Sequence, residues 1–199
     1  MLQNYSHITF LLDSSTSMTK IAGETIESFN KFLKDQKEAP GKCTFTFAKF
    51  ANEVSYPNEN VYGTRFVDIQ NIRDLDMEHF NPRGMTALND AICEVIDQTG
   101  KELAVLHEND RPEHVLFIIL TDGEDNMSHK YKSDVKTRIT QQESMYNWKF
   151  IYLGANVDAQ RESMQMGISN FTSYTADRAS VTATYSKLSS DTLSLRNSH

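Results

Sequence analysis

Residues 7–17, HITFLLDSSTS, decide the fold of this 199-residue chain. An apolar run that finishes with Leu11 and Leu12 stops at an acid, Asp13, and three serines and a threonine follow within four residues. Such a pattern predicts a buried strand that ends in a polar loop. Ligands of open α/β sheets gather where the strands finish at their carboxyl ends, so this loop is a candidate binding site.

The spacing of the oxygen-bearing side chains indicates what the loop binds. Asp13, Ser15 and Ser17 stand at positions i, i+2 and i+4, and an extended loop wrapped around one point directs all three side chains inward. Carboxylate and hydroxyl oxygens are the ligands that hard cations prefer. The loop therefore predicts part of a cation site.

Two further loops offer matching oxygens. Thr86 follows the turn residues 81–85, NPRGM, and stands directly before a helical pattern. The apolar run 114–120, HVLFIIL, is followed by Thr121 and a second acid, Asp122. In a parallel sheet, the loops after the two apolar strands open at the same end. One divalent cation can then bridge them.

The donor set favours Mg²⁺ among the hard cations. Two carboxylates and three hydroxyls form an incomplete, weakly charged shell, whereas Mg²⁺ binds about six oxygens and keeps several waters. A vacant position in such a shell would accept a carboxylate from outside the chain.

Strand and helix patterns alternate along most of the chain, which predicts βαβ units and a mostly parallel sheet between helices. Strands are expected at 43–50, 114–120, 148–155 and 171–174, with a short hairpin partner at 52–56 and one more short strand within 61–69. Helices are expected at 18–37, from 88 through 106, and at 133–146, 158–166 and 179–195.

Composition excludes several classes of protein. The chain has 39% apolar and 24% charged residues, as expected of one globular domain. Its net charge is −7 with no run of Lys or Arg longer than a pair, so neither nucleic acid nor an anionic membrane is an expected partner.

No secretory signal and no stretch of roughly 20 apolar residues is present, which makes the cytoplasm the expected location. Cys43 and Cys93 are expected to be buried, reduced thiols.

Taken together and in order, these motifs resemble the metal-ion-dependent adhesion site of the von Willebrand factor type A domain family. The matching pieces are the DxSxS pattern from Asp13 to Ser17, Thr86 in a glycine-containing loop before a helix, and the TDG triplet around Asp122. The resemblance covers nearly the whole chain. It implies a single domain over 1–199, with a core at about 6–176 and a C-terminal helix at about 178–195. The implied fold is an α/β, Rossmann-like open sheet, mostly parallel with one antiparallel edge strand and with helices on both faces.

The resemblance also implies a ligand set and a partner. Ser15, Ser17 and, depending on the conformational state, Thr86 would bind Mg²⁺ directly, with Mn²⁺ or Ca²⁺ as substitutes. Asp13 and Asp122 would act directly or through water, and an Asp or Glu of a protein partner would complete the shell. No catalytic residue and no enzymatic activity are expected, and the oligomeric state stays open.

One departure from the family pattern lies ahead of the threonine. Where members often carry two glycines, this chain has Pro82-Arg83-Gly84-Met85. Arg83 close to the metal either helps to recruit an anionic partner or merely solvates the rim.

Several alternatives stand beside this interpretation. The serines of the first loop, and Thr86 by itself, fit helix N-caps, and residues 124–126 fit a solvated acidic rim. A Mg²⁺-dependent phosphohydrolase of the HAD-like type uses a similar sheet, although Ser15 stands where its second aspartate is expected. A structural subunit of a larger assembly is the third possibility. The six histidines lack the spacing of a zinc site.

Overall fold

β1 (Leu2–Asp13) runs through the middle of a sheet in which the described residues form seven strands. It pairs in parallel with β2 (Lys42–Phe50) on one side and with β5 (Pro112–Thr121) on the other. β6 (Lys149–Gly154) and β7 (Phe171–Ser173) continue the sheet beyond β5, again in parallel. The structure, a computed structural model, describes residues 1–57, 65–155 and 158–198.

The edge beyond β2 is antiparallel. Two short strands, β3 (Val54–Ser55) and β4 (Val67–Asp68), pair with opposite ends of β2. β3 lies within the predicted hairpin partner at 52–56. β4 is the described part of the strand predicted within 61–69, of which residues 61–64 lie outside the described residues. The predicted mostly parallel sheet with an antiparallel edge is confirmed.

Helices cover both faces of the sheet, as predicted. Their bounds are α1 Ala22–Glu38, α2 Leu88–Ala104, α3 Lys132–Tyr146, α4 Ala159–Gln165 and α5 Arg178–Arg196, with short 3₁₀ helices at Thr16–Ile21, Ile69–Asn71 and Glu108–Asp110. The first and last α-helices share one apolar core with the sheet, and the other three share a second core on the opposite face. Among the described helices, none is both long and apolar enough to cross a membrane.

The start of the first helix differs from the prediction. A 3₁₀ helix occupies Thr16–Ile21, and α1 begins only at Ala22 rather than at residue 18. Residues three apart lie above one another in a 3₁₀ helix, so Met18 and Ile21 both reach the core, where each is at most 2% exposed. Ser17 consequently lies in a helical turn, and the prediction of an extended loop is wrong at this residue.

The side chains of β1 alternate between the two apolar cores. Ile8, Phe10 and Leu12 pack on the face covered by α1 and α5, whereas Leu11 packs on the other face. Both faces are buried, which explains the near-continuous apolar run. Because Leu12 pairs with Leu120 of β5, the two strands end side by side at one edge of the sheet. Both cysteines are buried and free, as predicted.

Candidate metal centre

The first loop gathers three oxygen-bearing side chains at the end of β1. Asp13 is fully buried, and its Oδ1 accepts a hydrogen bond of 2.7 Å from the backbone N–H of Ser15. The Oγ atoms of Ser15 and Ser17 lie 3.1 Å apart. The structure therefore brings these three predicted residues together.

The intervening residues point elsewhere and fasten the loop to its neighbours. The hydroxyl of Ser14 donates to the carbonyl of Phe50 at 3.0 Å, and that of Thr16 donates to the carbonyl of Gly84 at 2.9 Å. The side chains of Ser14 and Thr16 thus stabilise the loop and do not join the hydroxyl cluster. Ser15 precedes the 3₁₀ helix but makes no side-chain capping bond, so the N-cap alternative does not explain its hydroxyl.

The third loop contacts the first through both acids. Ser17 donates to Oδ1 of Asp122 at 2.6 Å, and the hydroxyl of Thr121 donates to Oδ2 of Asp13 at 2.6 Å. Thr121 was part of the TDG motif, but its role in orienting Asp13 could not be derived from the sequence. Hydrogen bonds therefore connect both predicted carboxylate ligands to the same pair of loops.

Gly123 shows that the second loop joins the same cluster. A Cβ atom added at Gly123 would lie 3.6 Å from Oγ of Ser17 and 3.8 Å from Oγ1 of Thr86. Both hydroxyls thus border the small volume that this glycine leaves open. Thr86 is 3% exposed, and its hydroxyl forms no hydrogen bond with any residue that the structure describes. Of the other predicted site residues, Ser15 and Asp122 contact the Ser17 hydroxyl, and Asp13 joins them through the N–H of Ser15.

Gly84 and Asn52 fix the loop that carries Thr86. Gly84 has φ +89°, and a Cβ there would come within 2.6 Å of Oδ1 of Asn52. That oxygen accepts a hydrogen bond of 2.7 Å from the N–H of Met85. Only glycine fits this left-handed position, and Asn52 is a supporting residue that the sequence did not reveal.

Residues 124–126 are the predicted solvated rim only in part, because Glu124 and Asn126 are exposed but Asp125 and Asn126 also fasten the neighbouring loop and helix. The side-chain Oδ1 of Asn126 accepts a hydrogen bond of 2.8 Å from the N–H of Thr86, and the N–H of Asn126 donates to the carbonyl of Thr86 at 3.0 Å. The carboxylate of Asp125 accepts from the N–H of Asn89, in the first turn of α2, at 2.7 Å. Only Glu124 is exposed without such a bond. Since Asp125 caps α2, Thr86 is not its N-cap, and no side chain caps the helix from position 87.

Electrostatics favour a cation at this place. Burial raises the pKa of Asp13 to about 6 despite hydrogen bonds from Thr121 and Ser15, and burial likewise raises the pKa of Asp122. Within the described residues neither carboxylate forms an ion pair with Lys, Arg or His. A bound divalent cation would compensate the cost of burying the two ionised acids.

The donor set fits a hard divalent cation better than a soft one. No three His, Cys, Asp or Glu side chains within 1–57, 65–155 and 158–198 lie close enough to hold a metal. A centre here therefore depends on hydroxyl oxygens beside two carboxylates. Oxygen-only sites with few charges suit Mg²⁺.

Comparison with known proteins identifies a family and a fold. The family model described as the von Willebrand factor type A domain matches residues 7–190. No protein of curated function matches the chain in sequence.

Solved structures agree on the fold. A D319A mutant of the PilB minor pilin from Streptococcus sanguinis superimposes with a TM-score of 0.69 at 11% identity, covering 97% of this chain and 62% of that chain. Proximal thread matrix protein 1 from the mussel byssus, with a zinc-occupied MIDAS motif, gives 0.65 at 16% identity over 98% and 49%. The manganese-loaded TRAP protein of Plasmodium vivax gives 0.61 at 14% identity over 92% and 72%. The chain spans less than two thirds of the first two structures.

Proposed function

The chain belongs to the von Willebrand factor type A domain family, and we propose that it is a metal-dependent protein-binding module whose metal centre captures an acidic side chain of a partner. Solved structures with the same fold include one with a zinc-occupied MIDAS motif and one that is manganese-loaded. A divalent metal is therefore plausible here, and Mg²⁺ is the ion that we propose.

One observation carries the proposal. The buried carboxylate of Asp13, the half-buried carboxylate of Asp122 and three hydroxyls come together from three separate loops, and two of the hydroxyls, of Ser17 and Thr86, border the volume left open by Gly123. Ser15, Ser17 and Thr86 would hold the cation through their hydroxyls, with Asp13 and Asp122 beside it. The bound ion would supply positive charge at an open coordination position, which attracts a carboxylate.

The chain's own residues prepare this position. Thr121 and the backbone of Ser15 orient the Asp13 carboxylate, Ser17 orients Asp122, and Asn126 holds the loop of Thr86. The alternative, a Mg²⁺-dependent phosphohydrolase, needs a second acid where Ser15 stands. The hydroxyl of Ser15 lies 3.1 Å from that of Ser17 instead. We therefore propose binding rather than catalysis.

Thermal unfolding with and without metal tests the proposal. Millimolar Mg²⁺ or Mn²⁺ should raise the melting temperature of the wild type, since a ligand at a hundred times its Kd stabilises by about 2.7 kcal/mol. Asp122→Ala should abolish the shift, whereas Glu124→Gln, an exposed neighbour, should keep it. The absence of a metal-dependent shift in the wild type would refute the metal centre. Metal-dependent hydrolysis of a phosphate ester that Asp122→Ala abolishes would favour the phosphohydrolase.

A further inference from the structure

A polar groove of about 960 Å³ adjoins the candidate metal centre. Ser14 and Gly84, neighbours of the site residues, line it together with Asn52 and Tyr56. Two cationic side chains, Lys49 and Arg83, also line it. Because the groove begins at the loops of the centre, a partner segment that reaches the centre can continue into it.

Hydrogen bonds fix the backbone on which Arg83 stands. Its N–H donates to the carbonyl of Ser14 at 2.8 Å, and the next carbonyl, of Gly84, accepts from both the N–H and the hydroxyl of Thr16. The guanidinium itself is exposed and forms no ion pair with any residue in the described part of the chain. Arg83 therefore brings to the groove a positive charge that no described acidic side chain neutralises.

Lys49 provides a second charge in the same groove. It is half-buried, its Nζ donates to the backbone carbonyl of His79 at 2.5 Å, and it forms no ion pair within residues 1–57, 65–155 and 158–198. Burial and the nearby Arg83 guanidinium lower the pKa of Lys49. Glu53 and Glu78 line the groove as well, but neither pairs with these cations. A negative charge placed between Lys49 and Arg83 would relieve the repulsion between these two positive charges.

We propose that the groove binds a second carboxylate of the partner segment whose first carboxylate reaches the metal. The partner motif is then an extended segment with two acidic side chains a few residues apart. This inference rests on the proposed metal-dependent function. It assigns Arg83 and Lys49 to recognition of the second carboxylate, the first of the two roles considered for Arg83.

Short peptides and nuclear magnetic resonance test the inference. The isotope-labelled protein is titrated in Mg²⁺ with a capped Gly/Ser peptide that contains one Glu, and with peptides in which a second Glu follows after one, two, three or four residues. A strand-like segment advances about 3.3 Å per residue, so the series samples the length of the groove. At the best spacing, the second Glu should tighten binding about tenfold, which corresponds to about 1.4 kcal/mol. A peptide with Gln as the second residue is the matched control.

Substitutions test whether Arg83 and Lys49 cause the tighter binding of the two-Glu peptide, which is the gain measured here. Arg83→Gln and Lys49→Gln should each remove most of the gain of the second Glu and leave the affinity for the one-Glu peptide within about twofold. Lys101→Gln, near the opposite end of α2, should keep the gain.

Equal binding of one-Glu and two-Glu peptides would overturn the groove inference while leaving the metal-dependent function intact. A gain that survives Arg83→Gln and Lys49→Gln, or that Lys101→Gln also removes, would overturn it too. If no peptide binds more tightly in Mg²⁺ than in EDTA, the proposed function fails, and the inference fails with it.

Discussion

Gly123 matters because of the volume that it leaves open between Ser17 and Thr86. In Gly123→Ala the new methyl group would lie 3.6 and 3.8 Å from their hydroxyls, which is ordinary contact, so the free energy of unfolding without metal should change by less than about 1 kcal/mol. The methyl group would nevertheless fill the volume proposed for the cation. We expect the Mg²⁺-dependent rise in melting temperature to disappear.

Gly100 in α2 offers the matched control for this substitution. A Cβ there meets only the side chain of Gln142, at 3.9 Å, so Gly100→Ala should stabilise the helix by roughly 0.5–1 kcal/mol and keep the metal shift. A normal metal shift in Gly123→Ala would show that the cation is bound elsewhere.

The buried ring of His7 predicts how the free energy of unfolding depends on pH. Its ring is fully buried, its Nδ1 lies 2.9 Å from Oγ1 of Thr44, and it stacks on Phe66 at 3.7 Å between ring centres. Burial lowers the pKa of His7 from 6.5 to about 3. Between these values the unfolded chain binds a proton that the folded chain excludes. His7 thus reduces the free energy of unfolding as the pH falls from 6.5, by at most about 1.4 kcal/mol per pH unit.

Magnetic resonance of the His7 ring measures this directly. In the native protein its signals should keep the shifts of the neutral ring down to pH about 4, whereas in urea the same ring should titrate near 6.5. Titration of the native ring near 6.5 would contradict the buried neutral state. The measurement follows one ring, so the raised pKa values of Asp13 and Asp122, which act on stability in the opposite direction, do not confuse it.

Among the elements, α2 depends on a carboxylate from another loop. Asp125 accepts hydrogen bonds from the N–H groups of Asn89 and Ser128, at 2.7 and 3.0 Å. Asp125→Ala leaves both donors without a partner and should lower the free energy of unfolding by about 1–2 kcal/mol. It should also weaken Mg²⁺ binding, because the segment between Asp122 and Asn126 loses its anchor.

Chemical denaturation with and without Mg²⁺ checks both effects. Glu124→Ala, one residue away and exposed, should leave stability and metal binding unchanged. Equal effects of the two substitutions would refute a specific capping role for Asp125.

The secondary structure could be predicted where burial alone sets the residue pattern, and less well where the same residues fit more than one local structure. The apolar run of β1, buried on both faces, and the helical spacing of α2 could be predicted because burial sets both patterns. The start of α1 was misplaced, since the same apolar residues fit an α-helix or a 3₁₀ turn locally. The hydrogen bonds of Asp125 and Asn126 were missed because nothing in the local sequence indicates that their partners are Asn89 and Thr86.

At the scale of the whole molecule, the prediction concerns two tyrosines buried between the sheet and α5. The hydroxyl of Tyr185 has no hydrogen-bond partner among the described residues, whereas that of Tyr174 donates to the carbonyl of Thr121 at 3.2 Å. Tyr185→Phe should therefore raise the free energy of unfolding by about 1 kcal/mol, and Tyr174→Phe should lower it by about 1 kcal/mol. Equilibrium unfolding in urea measures both.

The two substitutions remove the same atom from the same kind of side chain, so each serves as the control of the other. Destabilisation of similar size in both would mean that the Tyr185 hydroxyl is satisfied in solution.

Two whole-molecule properties stay predictions: a single domain over 1–199 and a location in the cytoplasm.

The pairing of β1 with β5 has a consequence for the protein during its synthesis. While residues 112–121 are still inside the ribosome, one edge of β1 has no partner strand, and the emerging chain presents an apolar strand edge that is prone to association. A cation that needs Asp122 cannot bind at this stage. On the proposed function, metal loading follows the closing of the sheet, and a nascent chain cannot capture its partner before the third loop has left the ribosome.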